Sequence, residues 1–96
     1  FEDLAGLSDR DAQTLIKDVD MNDLGVALKG ASPGVRDRFF KSMSSRAAQM
    51  LNDDIAAMGP VRLSEVEKSQ GAIVQVALGL AEKGRITIVR PADKMV

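Results

Sequence analysis

From Ser8 to Lys83 the apolar residues recur at steps of three and four, and each run is opened by a capping residue or closed by glycine. That rhythm is helical, because 3.6 residues per turn bring every third and fourth position onto one face. The frequent boundaries forbid one long helix. They leave several short ones, each with a single stripe to bury against the others. Ser8 opens the first run, with Asp11 placed as the carboxylate of a capping box, ahead of Ala12, Leu15, Ile16 and Val19. Asp20 caps a second through Leu24, Ala27 and Leu28, and Gly30 is expected to stop it. Ser32-Pro33 starts a third, with Val35, Phe39 and Met43 at steps of four. Ser44 or Ser45 caps a fourth, which Gly59-Pro60 ends. Ser64 and Glu67 form another capping box and open the longest run, through Val66, Ile73, Ala77 and Leu80 to about Lys83, with Gly84 just past its end.

Residues 1–7 add a short helical turn. Ile86 to Val89 is β-branched but has no partner strand, so it is expected as an extended tail packed on the helices, with residues 90–96 loose. Gly71 and Gly79 interrupt the longest run, each at a cost of about 1 kcal/mol relative to Ala. The expected fold is all-α: one domain over residues 1–96, an irregular array of about six helices with the longest near the C-terminus.

Composition narrows the function. The 96 residues include no Cys, His, Tyr or Trp, so thiol chemistry, disulfides, the usual zinc sites and the usual neutral-pH general base are absent. No catalytic constellation and no cofactor or metal site is expected. A formal net charge of −1 lacks the footprint of a nucleic-acid binder. No apolar run is long enough to span a bilayer, so direct membrane insertion is not expected. The start at Phe1, without an initiator Met or a signal peptide, is expected of a domain cut from a longer protein.

The fourth run carries the most distinctive surface. At about 100° per residue, Asp53 falls roughly 20° from Arg46, and Asp54 lies about 80° to the other side. Ala48, Leu51, Ile55 and Met58 form the opposite, apolar stripe. One face is built for a core and the other holds fixed charges of both signs.

Several motifs, in this order, resemble a known family. Leu28-Lys29-Gly30-Ala31, Ser45-Arg46-Ala47-Ala48, Asn52-Asp53-Asp54 and Gly59-Pro60-Val61-Arg62-Leu63 are similar to the C-terminal domain of the bacterial flagellar motor switch protein FliG, and Phe1-Glu2-Asp3-Leu4 and Glu65-Val66-Glu67 extend the match over nearly the whole chain. The resemblance implies a six-helix, armadillo-like unit at the edge of the rotor's cytoplasmic ring, peripheral to the inner membrane at the flagellar basal body. It implies contact with the cytoplasmic loop of the stator protein MotA, or its sodium-driven counterpart PomA, and assembly with other rotor subunits, FliG copies and FliM among them. Carried over, the functional charges fall on Lys29, Arg46, Asp53, Asp54 and Arg62, and Phe1 matches the last residue of the family's Met-Phe-x-Phe hinge. The segments that bind FliM, and the N-terminal domain that binds FliF, have no counterpart in these residues. Asn52 departs from the basic residue many relatives carry, and Gly71 and Gly79 stand where relatives have better helix formers.

Other readings of the same residues differ in class. Asp53 and Asp54 suit a helical module that senses a divalent cation, as in the cytoplasmic domain of MgtE-type magnesium transporters, although adjacent carboxylates on a helix diverge. Arg36, Arg38 and Lys41 form a basic cluster without stacking aromatics, and Phe39 and Phe40 read as core. Met43 and Met58 read as gap-filling core. Met50 projects about 40° from Arg46 on the charged face, the one methionine placed to meet a partner.

Overall fold

The computed structural model describes residues 1–88. A 3-10 helix, Glu2–Gly6, leads into α1 (Asp9–Asp18), α2 (Met21–Lys29), α3 (Pro33–Lys41), α4 (Ser45–Ala57) and α5 (Leu63–Glu82). The expected count, order and longest helix therefore hold, and no strand occurs among the described residues. The tail packs on the helices as expected as far as it is described: Ile86 is buried and Ile88 packs on the core. Val89 and residues 90–96 lie outside the described residues.

The frame is an antiparallel pair, α2 against α5. Along α2 the partners run Asp23, Ala27, Gly30; on α5 they run backwards, from Ser69 and Gln70 to Val66. Ser69 Oγ donates to Asp23 Oδ1 at 3.4 Å, and Gln70 Nε2 donates to the Ala27 carbonyl at 3.1 Å. A Cβ on Gly30 would lie 2.5 Å from Val66 Cγ1, so the end of α2 touches α5 there. Gly30 has φ −100°, which any residue adopts. α2 stops at Gly30 as expected, but not through a left-handed turn: the residue is glycine for want of room against Val66.

α4 lies across the first half of α2. Leu51, Ile55 and Met58 meet the bare backbone at Gly25, where a Cβ would stand 2.7 Å from Met58 Cε. Leu15, Leu24, Leu28, Val35, Phe39 and Ile73 are fully buried at the centre, each worth about 1.5–3 kcal/mol of burial. Phe1 packs on this core, its ring stacked on Phe39 with centroids 6.3 Å apart.

Several boundaries are as the spacing predicts. Ser8, Asp20 and Ser44 are N-caps, accepting from Asp11 N, from Asn22 N and Asp23 N, and from Ala47 N respectively. Past α5, Gly84 has φ +72°, its N–H donates to Ala81 O and that of Arg85 to Leu80 O, the crossed bonds of a Schellman ending. Two expected capping boxes do not form in full. The Ser64 box does not form, because α5 begins at Leu63 with Arg62 as N-cap. This start gives the Val66 N–H its partner, Arg62 O at 3.1 Å; a helix capped by Ser64 would leave that donor without an intrahelical bond beside Gly30. Ser32 is the N-cap of α3 with Pro33 at its first position, as expected, but its side chain makes no capping bond; its hydroxyl and N–H both turn to the Glu2 carboxylate. The Ser8 box is half formed. The Asp11 carboxylate accepts instead from Thr87 N at 3.1 Å and ties the tail to α1.

Candidate functional site

α4 displays its apolar stripe inward, with Leu51 and Ile55 buried and Ala48 and Met58 half-buried, while Arg46, Asp53 and Asp54 are exposed on the outer side. Among the described residues none of the three enters an ion pair. Their positions along the helix are informative. Arg46 is the second residue of α4, and Asp54 is in its last turn, where its carbonyl accepts from the capping residue Met58. Unsatisfied N–H groups make a helix N-terminus partly positive and unsatisfied carbonyls make the C-terminus partly negative. A cation at the start and an anion at the end therefore both oppose the helix dipole. No acidic residue in the first turn and no basic residue in the last compensates.

Lys29 and Arg62 meet at another place. Lys29 is half-buried in the last turn of α2, where a cation is favoured. Arg62 is exposed at the N-cap of α5, where a cation is not. Gly30 touches Val66, and Val66 bonds to Arg62 O, so the two basic residues share one end of the α2–α5 pair. Asp54 faces the opposite, N-terminal end of α2, beside Met21 and Asn22. The five charges thus form a spread-out surface and do not converge on a pocket.

The other expected features are disposed differently. Arg38 leaves the cluster with Arg36 and Lys41 to pair with Asp9 on α1. Phe39 is core and Phe40 half-buried. Met50 is 59% exposed, as its place on the helix predicts. Met21, 46% exposed, was not foreseen: it stands three residues before Leu24, a spacing that reads as core. No group of three or more His, Cys, Asp or Glu among the described residues is arranged to hold a metal. No described helix is long and apolar enough to cross a membrane.

Comparison with known proteins covers the same residues. The family described as FliG C-terminal domain matches residues 1–88. The flagellar motor switch protein FliG of Bradyrhizobium diazoefficiens is 53% identical, aligned over 100% of this chain and 30% of its own length. That of Thermotoga maritima is 47% identical over 94% of this chain and 27% of its own. The chain therefore spans less than a third of the length of these relatives. Among solved structures, an H. pylori FliG fragment superposes with a TM-score of 0.87 at 32% identity, over 90% of this chain and 38% of that one. Full-length FliG from Aquifex aeolicus gives 0.84 at 41% identity, over 86% of this chain and 26% of that one.

Proposed function

The chain belongs to the FliG C-terminal domain family, and from that premise we propose that it is the stator-facing part of a flagellar rotor and switch protein, taking up torque through the charges on α4. The reading is mechanical, not enzymatic. The observation that carries it is the arrangement of Arg46 and Asp54 against the helix dipole, exposed and without ion-pair partners among the described residues. Charges that help neither their helix nor a neighbouring one are available to a partner outside the domain. In this reading the partner is the cytoplasmic loop of the stator, MotA or PomA, presenting complementary charges. Lys29 and Arg62 form a second contact point, and Phe1 joins the domain to a preceding hinge that reorients it when rotation reverses. The site of action is the cytoplasmic face of the inner membrane, in a ring with other FliG copies and FliM.

Weak pairs suit this work. An exposed ion pair contributes only about 0.2–1 kcal/mol, and such contacts speed and orient encounter more than they hold. A rotor must release each stator contact quickly, while a ring of copies supplies continuity. Substituting Arg46→Ala, Asp53→Ala and Asp54→Ala together in the host's gene is expected to leave filaments assembled but paralysed or weakly turning, with each single substitution reducing torque only in part. Normal rotation of the triple variant would refute the assignment.

A further inference from the structure

The charged ridge of α4 has an apolar border. Around the helix from Arg46, Met50 comes at about 40°, Asp54 at about 80° and Met58 at about 120°. Beyond Asp54 the surface dips into a hollow of about 400 Å³, lined by Leu51, Asp54, Ala57 and Met58 of α4 and by Met21 and Asn22 of α2. Its lining holds one charge, the Asp54 carboxylate, and no cation. Two large apolar side chains nearby are left in water, Met21 and Met50. The N–H groups at the start of α2 are taken by Asp20, so the hollow offers no seat for an anion.

We infer that the stator contact is mixed rather than purely electrostatic: an amphipathic segment of the partner seats an apolar side chain in the Met21–Met58 hollow while a neighbouring basic side chain meets Asp54. The inference rests on the stator reading above and deepens it. Charge complementarity selects the occupant, because an acidic or purely apolar segment would leave Asp54 facing a like charge or none. The aliphatic stem of a Lys or Arg suits the methionine rim as well, since such stems cover apolar surface while the head stays wet. Methionine is flexible and polarisable, and adapts to a partner that arrives in successive orientations. The apolar part of the contact does not weaken with salt, so it retains the partner where screening dissolves the ion pairs.

Stall torque in motile cells tests this. Met21→Ser with Met50→Ser is expected to lower torque about two-fold or more, and Met21→Leu with Met50→Leu to retain it, with filaments assembled in both. Ala57→Gln is a second test. It fills the hollow from an exposed position without removing a core side chain, and is expected to lower torque likewise. Wild-type torque in the serine pair and in Ala57→Gln, beside a paralysed Arg46, Asp53, Asp54 triple-alanine variant, would overturn the mixed contact and leave the ridge reading intact. Normal rotation in all of them would overturn both. A concentration-dependent dimer of the chain, abolished by the serine pair, would assign the hollow to a second copy and also overturn the proposal.

Discussion

α1 and α4 are both amphipathic helices with charged outer faces, yet only α1 has acids in its first turn, and those acids have partners. α1 carries Asp9 and Asp11 in its first turn and Lys17 in its last, all favoured by the helix dipole, with Arg10 and Asp18 set against it. Its first-turn acids are also engaged, Asp9 with Arg38 of α3 and Asp11 with the backbone of Thr87. α4 has Arg46 at its start and Asp54 at its end, against the dipole, with no ion-pair partner among the described residues. The lesson is that a charge's worth to the fold is read from its helix position and its partner, not from its presence on a surface. α1 uses Asp9 and Asp11 to hold α3 and the tail. α4 is seated by its apolar stripe, Leu51, Ile55 and Met58 against Gly25 among it, so its charges are free for other work.

Substitutions can break or sharpen this contrast. The largest effect on stability is expected from Asp11→Ala, which removes the carboxylate holding Thr87 and a favourable charge at a helix start. Chemical denaturation should show a loss of about 1–3 kcal/mol. Asp9→Ala should cost less, about 1 kcal/mol, because its partnership with the half-buried Arg38 is partly open to solvent. On α4 the sign should reverse. Exchanging the charges, Arg46→Glu with Asp54→Lys, sets both ends with the dipole and should raise stability by about 1 kcal/mol while rotation fails. A thermal scan showing destabilisation would mean that the native charges have structural partners after all. The smallest effect belongs to Asp54→Ala alone, a gain of about a few tenths of a kcal/mol in unfolding free energy. A loss approaching that of Asp11→Ala would erase the distinction between the two helices.

How far the sequence can be read follows the same division between near and far. Ser8, Asp20, Ser44 and Gly84 were legible because a cap bonds to backbone within a few residues, so the whole interaction lies inside one short window. Apart from the start of α5, what was missed involves distant partners. The Ser32 hydroxyl goes to Glu2, 30 residues away, and the Asp11 carboxylate to Thr87, 76 residues away. Arg38 leaves its sequence neighbours for Asp9, and Met21, at core spacing from Leu24, ends beside Asp54 in an open hollow. None of these alters the local pattern, so none could be found there.

The sequence by itself determined the helices, their apolar faces, the family and the exposure of Arg46, Met50, Asp53 and Asp54, because periodicity and capping are short-range and a helix has only one side to bury. Tertiary structure decided which helices meet and what their seams require: the antiparallel α2–α5 pair, glycine at position 30 against Val66, and the early start of α5 that satisfies the Val66 N–H. It also decided that Lys29 and Arg62 stand together while Asp54 faces the other end of α2. Those outcomes depend on close packing between residues far apart in the chain, where a single methyl group too many forces the neighbours apart.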